Sequence, residues 1–308
     1  MAIILDGKIV RDEIAEKLKS DISFASRRTK TKPKLVIIQA GDLAQSNTYI
    51  RQKILFGEKI GAEVIHQKFR NNVDHITLAE YIYTLNSDST THGIIIQLPI
   101  PKHLKKDALI NSINPEKDVD GQTATNVKKL IENNPTALIP ATTKGILTLL
   151  NYYKIDVAGK KAVVVGRSSL VGKPTAHALL NLDATVTICH SQTKDLAKET
   201  KQADILVVAV GKPNLITRDH VSRGQVVIDV GINVIDNGQS TIVADSSKAR
   251  PWKTKRPGLN PSPKLTGDVK FDEVAKIVAQ ITPVPGGIGP LTVASLFENL
   301  LEAYTRQT

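Results

Sequence analysis

Cysteine is almost missing from this sequence, with a single thiol, Cys189, in 308 residues. An intrachain disulfide is therefore impossible, and a zinc site built from several thiolates is excluded. Long apolar runs are missing as well. No stretch reaches the ~20 apolar residues of a bilayer span, and "MAIILDGK" meets charge within its first six residues, too early for the apolar core of a secretory leader. The expectation is a cytoplasmic protein with no membrane partner and no metal. Aromatic residues make up only 4% and are not interleaved with basic ones, so a stacking platform is disfavoured and no nucleic-acid partner is expected. Acidic charge is in short supply, 30 Asp and Glu against 41 Lys and Arg, which leaves a formal +11. That excess suits a small polyanion, such as a phosphorylated cofactor or a polycarboxylate.

What is present is an alternation. Hydrophobic residues at 41% and charged residues at 23% are ordinary for a globular chain, and 308 residues are enough for two domains. Strand-like "KLVIIQA" (34–40), helix-like 46–60, strand-like "AEVIHQKF" (62–69), helix-like 74–86 and strand-like "GIIIQLP" (93–99) read as βαβαβ, hence a parallel sheet with right-handed crossovers. Ligands on such a sheet bind beyond the carboxyl ends of its strands. The stretch "SNTYIRQK" (46–53) lies at that edge. Ser46 is placed to N-cap a helix, and Tyr49 and Lys53, four apart, share one of its faces. Two readings are open: a rim aromatic beside a solvated charge, or an amine aimed at a substrate. "IQLPIP" brings Gln97, Pro99 and Pro101 to the same edge. "NPEKDVDGQ" (114–122) lacks the ligand spacing of a calcium loop; it is a solvated turn, or it offers Asp120 to an amine-rich heterocycle that donates paired hydrogen bonds.

A second unit of this kind follows a helical link over 142–153. Strand-like "KAVVVG" (161–166) runs into "RSSLVGKP" and a helix from about Val171; further strands are expected at 184–188, 204–210 and 225–231. This is a Rossmann-type pattern, with "GRSSLVG" at the strand-to-helix turn where phosphate meets backbone N–H groups and the helix dipole. Gly166 and Gly172 are in place, but Ser168 occupies the position of the second fingerprint glycine, so the motif alone is weak. The second strand ends "CHSQT" with no acid before Asp195, whereas an NAD site puts an acid there for the ribose hydroxyls. Arg167 and Ser191 suit a 2′-phosphate instead, which favours NADP; as a surface charge and a helix cap they would carry no such meaning. Segment 248–264 is Pro-, Lys- and Arg-rich and reads as a surface loop or a hairpin extension. "TPVPGGIGPLT" (282–292), with three prolines and three glycines, fixes an unusual backbone suited to close approach by a ligand or a neighbouring strand.

Taken in order, "AGD" with "SNTYIRQK", "IQLPIP", "PEKDVDG", "VVVGRSSLVGKP", "VIDVGIN", "GDV" and "ITPVPGGIGPLTVA" resemble the bifunctional methylenetetrahydrofolate dehydrogenase/methenyltetrahydrofolate cyclohydrolase family over nearly the whole chain. The resemblance implies an α/β protein of two αβα domains around a cleft, the second a Rossmann-type dinucleotide-binding domain. The domains are expected as 1–141 with 283–308 for the folate and 142–282 for NADP. It also implies that Lys53 is the cyclohydrolase catalytic residue, Gln97 its orienting partner, Tyr49 the ring against the folate and Asp120 the pterin anchor. Ser46, Pro285, Gly286 and Gly287 would help to bind substrate, and Gly166, Arg167, Ser168, Gly172, Ser191 and Ile232 the cofactor. Tetrahydrofolate derivatives, including polyglutamylated ones, are the implied substrates; a homodimer in one-carbon metabolism, feeding purine biosynthesis, is the implied setting.

The chemistry fits those assignments. Hydride loss from the one-carbon bridge is assisted by the adjacent nitrogen lone pairs and demands mainly positioning, whereas hydrolysis of the methenyl cation demands proton transfers. A buried lysine of depressed pKa beside a cationic substrate can supply them. The chain departs from the family at "PATT" (140–143), where Ala141 and Thr143 replace a cysteine and a proline, at Gln122 and Leu291, and in a longer loop at 237–266. Competing readings are a monofunctional NAD- or NADP-dependent folate dehydrogenase, which loss of the lysine would signal, and a non-catalytic or nucleic-acid-binding protein on a dinucleotide fold, supported only by the +11 charge.

Overall fold

The computed structural model describes residues 1–236, 239–241 and 264–308; most of the long loop and of the basic segment 248–264 lie outside the described residues. The chain divides into two compact units, one of Arg11–Gly145 with Thr292–Thr308, the other of Met1–Val10 with Ile146–Leu291.

The first of these is built on a parallel three-stranded sheet with Lys34–Ala40 in the middle, flanked by Glu63–Phe69 and Gly93–Ile96. The central strand is a continuous apolar run because helices cover both of its faces. Leu35, Ile37 and Ile95 pack with Ile50, Phe56 and Ile60 and with Phe297 and Leu300 of the last helix, Ile288–Gln307. Val36, Ile38, Ile94 and Ile96 face Leu78 and Ile82 on the other side. Helix His75–Ser87 opens on Asp74, whose carboxylate accepts from the Thr77 N–H at 2.8 Å, an N-cap that satisfies one of the first-turn donors.

Helix Ala44–Ile60 begins two residues earlier than expected. The N-cap position belongs to Leu43 and carries no side-chain cap, so Ser46 is not the cap; it is buried inside the first turn. The third strand is also shorter than expected, ending at Ile96, which leaves Gln97 and Pro99 on the connection beyond its carboxyl end.

The other unit carries a six-stranded, all-parallel sheet in the order Ile3–Ile4, Gln280–Ile281, Val226–Asp229, Ile205–Val208, Lys161–Val165, Thr185–Cys189. The order reverses between Lys161–Val165 and Ile205–Val208, the topological switch point at which dinucleotides bind in doubly wound sheets. A small antiparallel sheet of Gln239–Thr241, Asn233–Asp236 and Lys264–Thr266 accompanies it. The first residues thus differ from the expected division at 1–141: Ile3 and Ile4 pair with Gln280 and Ile281, and two residues are too short a run to show a strand period. Pro285, Gly286 and Gly287 also fall in this unit, where the Gly7 N–H donates to the Gly286 carbonyl at 2.8 Å. Among the described residues no helix is long and apolar enough to cross a membrane, and no cluster of three or more His, Cys, Asp or Glu is placed to hold a metal.

Candidate active site

Helix Ala44–Ile60 stacks Lys53 one turn after Tyr49, both half-buried. The Lys53 ammonium or amine donates to Gln97 Oε1 at 2.9 Å, and Gln97 Nε2 donates to the Leu98 carbonyl at 2.9 Å. The second bond fixes which end of the amide faces the lysine. Burial pushes the Lys53 pKa down, while the Asp120 charge works against that shift. Asp120 feels the converse: burial pushes its carboxyl up, Lys53 pulls it down, and the Asp118 charge adds to the rise. Burial also raises the Tyr49 phenol, which keeps it protonated as a donor. Lys53, Gln97, Tyr49 and Asp120 are thus brought to one edge of one sheet.

The turn that presents Asp120 is pinned by its neighbour. Asp118 accepts from the Gln122 N–H at 3.1 Å, the Thr123 N–H at 2.7 Å and Asn126 Nδ2 at 3.0 Å. Lys117, also buried, donates to the carbonyls of Leu85, Asn86 and Asp88, at 2.9, 2.9 and 2.7 Å. These charges of "EKDVDG" build the loop, and Asp120 alone is left to face Lys53. Gln122, at the position where the family usually has an apolar residue, puts its amide on Asp120 Oδ2. The other departures are buried packing positions: Ala141 lies in the core with Phe297, and Thr143 and Leu291 are fully buried.

A network at the start of helix Ala44–Ile60 was not foreseen. Gln39 Nε2 donates to Asn47 Oδ1 at 2.8 Å, Asn47 Nδ2 donates to Asp42 Oδ1 at 2.7 Å, and Gln39 Oε1 lies 2.7 Å from His66 Nε2. It ties the end of strand Lys34–Ala40 and the middle of Glu63–Phe69 to Asn47 in the first turn of the helix that carries Tyr49. The signal was a lone polar residue, Gln39, in the apolar run "KLVIIQA", which is 2% exposed and must therefore find partners.

At the switch point of the six-stranded sheet, Gly166 follows Lys161–Val165 with φ +126°, and a Cβ there would lie 2.2 Å from the Ala209 carbonyl oxygen. A Cβ on Gly172 would lie 2.2 Å from the Gly166 oxygen. Ser168 explains its own presence: its Oγ accepts from the N–H groups of Val171 and Gly172, at 3.2 and 3.3 Å, at the start of helix Gly172–Leu180. A serine therefore closes the turn at the place of a fingerprint glycine. Val165 and Cys189 are register partners, and Arg167 and Ser191 each stand two residues beyond, both exposed. Asp195, the first acid after that strand, is engaged elsewhere: its Oδ1 accepts from the Lys198 N–H at 3.0 Å as the N-cap of helix Leu196–Lys201. Ile232 is half-buried just beyond the end of Val226–Asp229.

The family model for the tetrahydrofolate dehydrogenase/cyclohydrolase catalytic domain matches residues 5–120, and that for the NAD(P)-binding domain of the same proteins matches residues 140–308. A curated relative, the bifunctional protein FolD of Ligilactobacillus salivarius (strain UCC118), is 42% identical over 306 residues, covering 99% of this chain and 98% of the relative. The crystal structure of the bifunctional enzyme FolD from Campylobacter jejuni superposes with a TM-score of 0.90 at 38% identity, covering 100% of both chains. The Trypanosoma brucei methylenetetrahydrofolate dehydrogenase-cyclohydrolase, solved with NADP cofactor and an inhibitor, gives a TM-score of 0.88 at 34% identity, covering 99% of this chain and 98% of that one.

Proposed function

This chain belongs to the tetrahydrofolate dehydrogenase/cyclohydrolase family, and from that premise we propose how its own residues divide two successive reactions. The enzyme oxidises 5,10-methylenetetrahydrofolate to the methenyl cation with a nicotinamide dinucleotide, then hydrolyses the cation to 10-formyltetrahydrofolate. The observation that carries the division of labour is the Lys53–Gln97 contact beside Asp120.

In the first step the substrate needs to be held with its bridge carbon facing the other reactant, since its own nitrogens stabilise the developing cation. The bound nicotinamide supplies the hydride acceptor. Asp120 anchors the pterin by accepting from it, and Tyr49 supplies the apolar ring face beside Lys53. In the second step water adds to the methenyl carbon, and neutral Lys53 takes the proton that this water loses. Cleavage of the bond from that carbon to N5 then needs a proton on the departing nitrogen, which the same ammonium returns as the hydroxyl proton leaves to solvent. One proton is released overall. Gln97 Oε1 holds the amine by accepting one of its hydrogens and adds no charge that would raise its pKa.

For the cofactor, NADP is proposed over NAD. Arg167 and Ser191 are exposed two residues beyond the register partners Val165 and Cys189 and could pair with a 2′-phosphate there, and the acid that would serve the ribose hydroxyls in their stead, Asp195, caps its own helix. Arg167→Ala is expected to weaken NADP⁺ binding by roughly tenfold to a hundredfold, the worth of a charge-assisted contact, with NAD⁺ binding little changed. Titration of both dinucleotides into wild type and variant checks this; parallel losses for the two would remove Arg167 from the 2′-phosphate.

Ser46, Pro285, Gly286 and Gly287 are proposed for the substrate, and Gly166, Ser168, Gly172 and Ile232 for the cofactor. A cytoplasmic homodimer that acts on free or polyglutamylated tetrahydrofolates, supplies formyl groups for purine synthesis and binds neither nucleic acid nor membrane completes the reading; the family supports it. Chromatographic product analysis with methylenetetrahydrofolate and either dinucleotide, corrected for spontaneous hydrolysis, tests the whole. Formyl product above background with NADP⁺ preferred supports it, whereas accumulated methenyl product would leave a dehydrogenase alone.

A further inference from the structure

Two acids of the second unit have no part in the reactions described above, yet they are among its least exposed residues: Asp229 is 3% exposed and Asp268 0%. Asp229 closes strand Val226–Asp229. Its Oδ1 accepts from the Gly231 N–H at 2.9 Å and the Asp268 N–H at 3.0 Å, and its Oδ2 from the Val269 N–H at 2.9 Å. Asp268 accepts at Oδ2 from the N–H groups of Val210 and Gly211, at 2.7 and 2.9 Å, and at Oδ1 from Asn233 Nδ2 at 2.9 Å.

The pair is packed as tightly as it is bonded. A Cβ on Gly267 would lie 1.8 Å from Asp229 Oδ2, and a Cβ on Gly231 would lie 2.3 Å from Asp268 Cγ. Each carboxylate therefore sits on a glycine within two residues of the other acid. Among the described residues their partners are N–H groups and no ion pair reaches either acid. Two buried carboxylates without a cation are costly, and burial pushes Asp229 up to about 7, opposed by its backbone N–H donors and reinforced by the Asp268 charge. A buried apolar pair could fill this volume at less expense. What only a carboxylate offers is acceptor capacity on both oxygens, enough to collect donors from several segments at once.

Those segments share a location. Val210 and Gly211 follow strand Ile205–Val208, and Gly231, Ile232 and Asn233 follow Val226–Asp229, so both connections lie at the carboxyl edge of the sheet, beyond the switch point from Thr185–Cys189. With the pyrophosphate at the glycine turn and the adenosine ribose towards Thr185–Cys189, a dinucleotide laid across the switch point brings its nicotinamide half to these two connections. Ile232 is flanked by a residue held through Asp229 and one held through Asp268.

We propose that the Asp229–Asp268 pair is a positioning device for the nicotinamide half of the cofactor, clasping the 210–211 and 231–233 connections at the spacing that seats it. The proposal rests on the dinucleotide reading above. Neither acid is a catalytic residue; both act through the backbone they hold.

The full-length protein tests it, because cyclohydrolase turnover of added methenyltetrahydrofolate needs no hydride transfer and reports the rest of the molecule. Asp268→Ala is expected to raise the NADP⁺ dissociation constant about tenfold or more and to lower hydride transfer, with cyclohydrolase turnover within about twofold of wild type. Asp268→Asn is expected to recover most of the loss. Its amide oxygen can keep Val210 and Gly211, and its NH₂ can donate to Asn233 Oδ1, a buried acceptor with no partner among the described residues, once the Asn233 amide turns over. Asn233→Ala, which cuts only the tie beside Ile232, is the second variant and keeps the test decisive if Asp268→Ala does not fold; it too is expected to weaken NADP⁺ binding selectively. NADP⁺ affinity unchanged in both alanine variants, or melting temperature and both activities falling together with affinity preserved, overturns the positioning role. Wild-type protein that binds no dinucleotide overturns the reading beneath it as well.

Discussion

Replacing Lys53 by methionine is expected to lower cyclohydrolase turnover by roughly 10²- to 10⁴-fold, the span that general acid–base catalysis supplies, while hydride transfer stays within about tenfold of wild type. The asymmetry follows from the two steps: one needs a proton taken and returned, the other needs a substrate held in place. The pH dependence carries a second signature. Burial holds the Lys53 pKa below its ordinary value, so the enzymatic hydrolysis rate rises with pH as the neutral amine appears and levels off above that pKa. The variant loses this limb after subtraction of spontaneous hydrolysis. The substitution moves stability the opposite way from activity. Between the depressed folded pKa and the unfolded one the unfolded chain binds more protons, so wild-type stability rises with pH through that window and carries the full penalty below it. Methionine removes the penalty, and Lys53→Met is expected to melt at a higher temperature than wild type near neutral pH. Both activities lost equally by a well-folded variant would refute the division of labour.

Gly166→Ala is expected to do the reverse, removing dehydrogenase activity and NADP⁺ binding by at least about a hundredfold while the cyclohydrolase survives. At φ +126° a side chain is strained whatever the space, and here there is no space, because the Cβ would overlap the Ala209 carbonyl at 2.2 Å. Either the connection after Ile205–Val208 is displaced or the glycine turn opens, and both spoil the surface that a pyrophosphate approaches. The unit that holds Lys53 has its own core, around Leu35, Ile37 and Phe297, which the substitution does not touch. Paired assays with a calorimetric scan check this. Wild-type NADP⁺ affinity in Gly166→Ala would mean that the dinucleotide does not use this turn.

The alternation of strands and helices over residues 34–99 was legible because apolar strand-like segments there alternate with helices long enough to show their period, whereas the helix Gly7–Thr29 that precedes it was not anticipated. Ile3–Ile4 was not, since two residues have no period and their partners lie near residue 280. "SNTYIRQK" pointed to the right helix, but its expected capping serine lies within the first turn, buried, rather than at the cap. The charge of "EKDVDG" was visible without its division: only the folded loop separates Asp118, which binds the residues that follow it, from Asp120, which senses Lys53. Ser168 counted against a phosphate turn when judged as a missing glycine, and in the structure its hydroxyl caps that turn. The acids of "VIDVG" and "GDV" gave no warning at all, because acceptor networks depend on which loops meet, and loop meetings leave no periodic trace.

The pairing of Ile3–Ile4 with Gln280–Ile281 also bears on how the protein is made. Chains emerge from the ribosome at ~5–20 residues per second, so this strand waits on the order of ten seconds or longer before its partner exists. Arg11–Gly145 can gather most of its own core during that interval, but the six-stranded sheet cannot be completed until synthesis has passed residue 281. Its completion is held back until Gln280–Ile281 has been made, with two exposed isoleucines as the tether that must stay unclaimed by other strands in the meantime.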